Sequence, residues 1–456
     1  MTPGARLQAA IELLHEIHAG TAPADRAVAA YFRTRRYVGG KDRRDVIDRV
    51  YAVLRRRAAL DWWIARALAE QAPDDVERAR MIAALALIEG WSADRIAGAF
   101  DGGQYRPAVL SPTERALAKA LAGQALAHPD QPTWVRDEFP DWLEGDLAVA
   151  FGPRLEAEMT ALTAEAPLDL RVNTLKATRE AAIRALAAEG VEAIPTPLSP
   201  WGLRVYSRPP LATLQSFRHG AYEVQDEGSQ LVALLVDARP GMRVVDFCAG
   251  AGGKTLALAA AMENKGHVVA CDVLAGRVER AGERLKRAGA HNVERRGLKT
   301  ERDPWVKRHA RAFDRVLVDA PCSGAGTWRR NPDARWKLGP GDVEELVALQ
   351  RAILESACRL VKPGGRLVYA TCSLLAAENA DQVDWFLARH PEFSAVPVAE
   401  VWDAAVAPRG GGTCPATGPY LSLTPAANGT DGFFVAVLAR RAQESKSTET
   451  AEPAAA

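Results

Sequence analysis

From position 243 onward, short apolar runs alternate with amphipathic stretches, and this alternation limits the fold more than any other feature of the 456-residue chain. Residues 243–248, 267–272, 313–319 and 366–371 are compact and apolar, with the length and flanks of buried strands. Helical patterns at 254–262, 275–288, 343–361 and 379–390 lie between or after them, and Lys362-Pro-Gly-Gly365 reads as the stop of the third. Strands that alternate with helices form a parallel sheet covered on both faces. The sequence therefore predicts an α/β, Rossmann-like domain. Residues 420–423 and 432–439 read as a closing hairpin, which adds an antiparallel terminal strand.

The region before it has a different texture. Ala9, Leu13, Leu14 and Ile17 recur at helical spacing, as do Val46, Ile47, Val50, Tyr51 and Leu54, with Asp42 as the expected N-cap of the second set. Residues 81–88 are apolar almost all round, as in a helix inside a bundle. Prolines at 107, 112, 129 and 132 suggest a boundary near 130. A helical stretch at 134–159, a strand at 168–173, a helix at 178–189 and strands near 201–206 then predict a small α+β module. The expected domains are 1–130 (all-α), 131–235 (linker helices and α+β module), 236–441 (α/β) and a disordered tail at 442–456.

Composition bounds the setting. With 48% hydrophobic and 25% charged residues the chain is ordinary globular protein. No apolar run approaches the ~20 residues of a membrane span, and the N-terminus has no signal-peptide pattern. Six cysteines without a Cys-x-x-Cys pair argue against a disulfide scaffold or a zinc site. A soluble monomer in the reducing cytoplasm, without a metal, is expected. The net charge of +1 hides segregation: residues 26–57 hold eleven Lys or Arg against three Asp, and 274–337 hold seventeen basic against eight acidic residues. Between them, 131–240 is acidic, with sixteen Asp or Glu against ten basic residues. Two basic blocks around an acidic one suit a polyanion that touches particular faces.

Asp246-Phe-Cys-Ala-Gly-Ala-Gly-Gly-Lys-Thr255 joins the first strand of the α/β domain to its first helix. Its three glycines let backbone amides approach a ligand. The spacing is neither the dinucleotide fingerprint nor a P-loop, which demotes phosphate binding. Asp272 ends the second strand, 18 residues beyond Lys254, where a carboxylate can bond ribose hydroxyls. An adenosine-containing ligand without a triphosphate is implied, and S-adenosylmethionine (SAM) fits. Cys248, Ala249, Gly250, Ala251, Gly252, Gly253, Lys254, Asp272 and Asp319 are its candidate contacts.

Two further segments carry chemistry. Asp319-Ala-Pro-Cys322 and Ala370-Thr-Cys372-Ser follow neighbouring strands, and ligands in such sheets sit at the strands' carboxyl ends. With strands about 4.8 Å apart, both thiols can face the pocket that the glycine loop borders. Cys248, Cys271 and Cys358 fall in apolar patterns and read as small core residues, and Cys414 has no evident role.

With these residues in hand, the chain resembles the RsmB/Sun (Fmu) family of RNA cytosine-C5 methyltransferases. Gly-Gly-Lys-Thr255, Asp272, Asp319-Ala-Pro-Cys-Ser323 and Ala-Thr-Cys-Ser373 match its methyltransferase motifs in order. Arg329-Arg-Asn-Pro332, Arg335-Trp336, Tyr222 to Gln230 and Thr430-Asp-Gly-Phe-Phe434 match further segments. Leu170-Arg-Val-Asn173 resembles the N1 RNA-binding region, and the helical N-terminus the NusB-like RNA-binding domain of bacterial members. The usual Ala-Ala-Pro-Gly-Gly-Lys is here Ala249-Gly-Ala-Gly-Gly-Lys254, and the acid usual after the third strand has no counterpart at 297–300. The resemblance implies a SAM-dependent RNA methyltransferase with Cys372 as nucleophile and Cys322 as the product-release thiol. One thiol of so close a pair is expected to stay protonated. Asp319 would read the cytosine amine, and Lys254 would assist a thiol or orient the substrate. Arg33, Arg35, Arg36, Arg171, Asn173, Arg329 and Arg330 are the expected RNA contacts, with ribosomal RNA as the bacterial precedent. An exocyclic-amino methyltransferase and a non-catalytic RNA-binding assembly factor are the competing readings.

Overall fold

A computed structural model describes residues 1–69 and 71–442, so all but Ala442 of the expected disordered tail lies outside the described residues. The chain forms two compact units: Met1–Ala166 with Gly324–Val343 and Thr424–Gly429, and the remainder.

The first unit is helical. Helices Pro3–Ala19, Ala24–Thr34, Gly40–Arg55, Arg57–Ala67, Val76–Leu87 and Pro112–Leu121 enclose one core, in which Leu13, Leu14, Ile17, Val46, Val50, Met81 and Leu85 are buried. The helix starts follow from side-chain chemistry: Thr2, Asp75 and Ser92 each accept a first-turn amide, and Ser111 with Glu114 closes a capping box. Asp42 is not the cap expected of it. The third helix begins two residues earlier, at Gly40, and the Asp42 carboxylate accepts the terminal amine of Met1 at 2.7 Å. The unit also runs past the boundary expected near 130, to Ala166. Its last stretch is three short helices, Thr133–Arg136, Glu144–Phe151 and Leu155–Thr163, because Pro140 and Gly152-Pro153 interrupt the pattern. Glu138, at the first break, has a left-handed φ of +61° and is buried, where its carboxylate accepts the amides of Ala58 and Ala59. Burial pushes that carboxyl up to about 8, against the pull of those amides and of the Arg335 charge.

The second unit holds two sheets. Strands β1 (Leu168–Val172), β2 (Ile194–Pro195), β3 (Gly202–Val205) and β4 (Tyr222–Val224) form an antiparallel sheet in the order β2-β3-β1-β4. Leu170, Val172, Leu203 and Tyr222 pack with Ala182 and Leu186 of the helix Arg179–Ala188. The larger sheet contains β5 (Arg243–Asp246), β6 (His267–Asp272), β7 (Val293–Gly297), β8 (Phe313–Asp319), β9 (Val361–Thr371), β10 (Phe393–Val396), β11 (Leu421–Leu423) and β12 (Phe433–Arg440). Its order is β10-β12-β9-β8-β5-β6-β7, with β11 beside β12. β5 to β9 pair in parallel, whereas β12 runs antiparallel to β9, β10 and β11. The α/β class and its antiparallel end are as the sequence implies, and β10 is an addition. Lys362-Pro-Gly-Gly365 does not stop a helix: the preceding one ends at Ala357, and these residues begin β9, beside an irregularity in its pairing with β8. Strand order reverses between β5 and β8, the switch point where such sheets take ligands.

Candidate active site

The loop after β5 turns sharply enough to need glycine. Gly250 and Gly252 have φ of +53° and +80°, and Gly252 begins the helix Gly253–Ala261. A Cβ on Gly252 would lie 2.9 Å from the Ala281 methyl, while one on Gly250 would meet nothing within 4 Å. Gly252 serves packing, and Gly250 faces open space. Asp272 accepts the Gly250 amide at 2.8 Å through one oxygen and the Leu274 amide at 2.7 Å through the other, so it braces the loop. Beneath it Asp246 is fully buried. One of its oxygens takes the Thr255 hydroxyl at 2.7 Å, and the other has no hydrogen-bond partner. Burial pushes this carboxyl up to about 7, reinforced by the Asp319 charge and opposed by Thr255. A glycine cradle, an acid at the end of β6 and a buried acceptor lacking a donor fit an amino-acid-bearing adenosine ligand such as SAM.

Lys254 lies on the first turn of that helix, 9% exposed, with its ammonium 2.7 Å from Asp319 at the end of β8. The charge sits 5.5 Å from the ring centre of Phe433. Burial pulls its pKa down, but the Asp319 charge and hydrogen bond, with the attraction of Cys372, outweigh that and hold it above the usual lysine value. The thiols complete the cluster. Cys322 and Cys372 are half-buried, with sulfurs 3.5 Å apart. Sequence placement thus brings Cys322, Cys372, Asp319, Lys254 and the glycine loop to the carboxyl end of one sheet. Cys271 and Cys358 are buried, and burial pushes the Cys358 thiol up to about 12. Cys248, in the loop, is half-buried with its thiol raised well above the ordinary value by burial.

Several expected RNA contacts face inward instead. Arg171 is 2% exposed and donates to the Gly253 carbonyl at 3.1 Å, which ties the small sheet to the glycine loop. Asn173, 3% exposed, donates to the carbonyls of Gly220 and Ala288, both at 2.8 Å. Arg329 is buried and donates to Gly429 at 3.2 Å. These three donate to buried carbonyls inside the fold and do not face a polyanion: the two arginines reach theirs by length, and the Asn173 amide by lying between two backbone segments. Arg330 and Arg35 are half-buried, and Arg35 stacks 3.6 Å above the Tyr31 ring. Arg33 and Arg36 are exposed.

Sequence reasoning missed Asp246, whose only signal is its place at the head of the loop. It also missed Glu378 and Gln350, which bind the loops of the two cysteines. No spacing rule would have found them, since their role depends on how β8 and β9 pair.

The family described as 16S rRNA methyltransferase RsmB/F matches residues 233–439, and its ferredoxin-like domain matches 139–212. A Synechocystis relative named "Probable ribosomal RNA small subunit methyltransferase B" is 31% identical over 417 residues, 87% of this chain and 91% of its own length. The chain belongs to the RsmB/F family. Ribosomal RNA small subunit methyltransferase B of Pectobacterium carotovorum is 37% identical over 301 residues, and the match spans about two thirds (66%) of each protein. The crystal structure of PH0851 superposes with a TM-score of 0.75 at 28% identity, covering 96% of this chain and 99% of that one. This family's catalytic domain is thus the Rossmann-like sheet described above, and no helix among the described residues is long and apolar enough to cross a membrane.

Proposed function

We propose that this chain transfers a methyl group from SAM to carbon 5 of a cytosine in RNA, with 16S rRNA as its substrate. The observation that carries the reading is the pair of thiols 3.5 Å apart beside the Lys254–Asp319 pair. SAM, held by Cys248 to Lys254, Asp272 and Asp319, would supply an electrophilic methyl group. Carbon 5 of cytosine is too weak a nucleophile to take it unaided. The Cys372 thiolate adds to carbon 6, which breaks the ring's conjugation and makes carbon 5 enamine-like. Once Cys372 is a thioether its charge no longer opposes ionisation of Cys322, which gives its proton to solvent. After methylation the Cys322 thiolate takes the carbon 5 proton and the Cys372–carbon 6 bond breaks, restoring the aromatic ring and the Cys372 thiolate. Asp319 accepts from the exocyclic amine and favours cytosine over uracil, whose oxygen it would repel. Lys254 offsets the negative charge of Asp319 and of the Cys372 thiolate. The base must leave any stack to enter this pocket.

The helical unit supplies the RNA face. Arg33, Arg36, Lys41 and Arg44 are exposed and take part in no ion pair among the described residues. Tyr37 and Tyr105 line one groove with Tyr31 and Arg35, and are 79% and 76% exposed. Tyr105 holds a φ of +62°, a conformation that a bulky side chain adopts at a cost. Exposed rings among free cations suit stacked bases and phosphates. Arg330 is a further RNA contact in this proposal, which has the protein acting as a cytoplasmic monomer.

The test is to incubate protein, 16S rRNA and methyl-labelled SAM, then identify the labelled nucleoside. Label in 5-methylcytidine is expected, and bisulfite sequencing of a deletion strain locates the position. Label in N4-methylcytidine would make the chain an amino methyltransferase. RNA binding without label would make it an assembly factor.

A further inference from the structure

The backbone ladder that aligns the two cysteine strands ends before it reaches the cysteines. β8 and β9 pair as far as Asp319 opposite Ala370, and the Ala320 amide makes a final bond to the Ala370 carbonyl at 2.8 Å. Cys322 and Cys372 lie beyond, on loops that sheet hydrogen bonds do not hold. Their sulfurs are nonetheless in contact.

A buried carboxylate replaces the ladder there. Glu378 has no exposed surface. One oxygen accepts the Ser323 amide and the Gln350 side-chain amide, both at 2.9 Å, and the other accepts the hydroxyls of Ser323 and Ser373. Those serines directly follow the two cysteines, and their hydroxyls are 3.1 Å apart. Gln350 also donates to the Pro321 carbonyl at 3.0 Å, so the chain is gripped on both sides of Cys322. On the other loop, Asn379 accepts the Thr371 hydroxyl and donates to the Ser373 carbonyl at 3.0 Å. Burying a carboxylate is costly unless its oxygens are satisfied, and four donors satisfy these.

We propose that Glu378 is a positioning residue that sets the spacing of the two thiols. This rests on the two-thiol reading above: the release thiol must stay within reach of the adduct on its neighbour, and a displacement of ~1 Å can cost about 100-fold in rate.

A chemical ruler tests the spacing without RNA or SAM. Diamide oxidises two neighbouring thiols to a disulfide, its azo bond taking up the two electrons and two protons, and peptide mapping measures the Cys322–Cys372 link. Glu378→Ala is expected to form it at least tenfold more slowly than the unaltered protein. Glu378→Gln should stay close to the unaltered rate, since its carbonyl keeps the two amide donors and its amide can donate to the serine hydroxyls. Linkage at the unaltered rate in Glu378→Ala overturns the proposal. If that variant fails to fold, the Ser323→Ala/Ser373→Ala pair decides, with slowed linkage expected and unaltered linkage fatal. Slowed linkage in a protein that makes no 5-methylcytidine would refute the function and leave the clamp standing.

Discussion

Replacing Lys254 with methionine removes one half of a charge pair while leaving a flexible apolar side chain against Phe433. The pair is close (2.7 Å) and unequally sheltered, with side-chain exposures of 10% for Lys254 and 31% for Asp319. Breaking a fully buried pair costs about 3–5 kcal/mol because the remaining charge is stranded. Water reaches part of Asp319, so the expected cost is smaller, about 2 kcal/mol. For a unit of this size that is a fall in Tm of roughly 4–8 °C. The double variant Lys254→Met/Asp319→Asn strands no charge and should recover most of this. Calorimetry of the unaltered protein, both single variants and the double variant gives the coupling, expected at about 2 kcal/mol. Strictly additive losses would refute the claim that Lys254 is there to neutralise Asp319.

Other consequences can be measured directly. Glu138 is held near 8 when folded against 4.5 for a free glutamate. The folded state therefore binds its proton more tightly, and the stability this contributes, full below the lower value, is lost as pH rises toward the upper one. Tm of the unaltered protein should fall from about pH 5 to about pH 9, and Glu138→Gln should flatten that fall; an unchanged slope would count against it. Arg171→Met should lower stability by roughly 1–3 kcal/mol through the lost bond to Gly253, with RNA affinity unchanged; weaker RNA binding at full stability would return Arg171 to the RNA face. Tyr37→Ala and Tyr105→Ala should each weaken binding of a single-stranded RNA by about 1–3 kcal/mol in fluorescence anisotropy, with phenylalanine restoring it; alanine variants that bind normally would remove the stacking role.

The α/β domain was legible because its strands are short apolar runs between helices, and His267–Asp272, Ala275–Ala288 and Phe313–Asp319 fall where the pattern puts them. Cys322, Cys372 and Asp319 were legible for a related reason: residues at strand ends converge wherever parallel strands are neighbours. What stayed hidden depends on tertiary contact. Nothing in Leu-Arg-Val-Asn says that Arg171 turns inward to a carbonyl 82 residues away, and basic residues are counted as surface until a structure buries them. The N-terminal unit also recruits residues 324–343 and 424–429 from far along the chain, which no local composition shift marks. Glu378 was invisible because a lone glutamate before a helix normally reads as solvated surface.

The most direct measurement is a denaturing gel of protein mixed with SAM and substrate RNA. If Cys372 attacks carbon 6 and Cys322 frees the product, Cys322→Ala will hold RNA in a covalent complex that survives denaturation. Cys372→Ala will form none and will methylate nothing. Methylation by Cys372→Ala, or a complex that persists without that sulfur, would contradict the mechanism at its root.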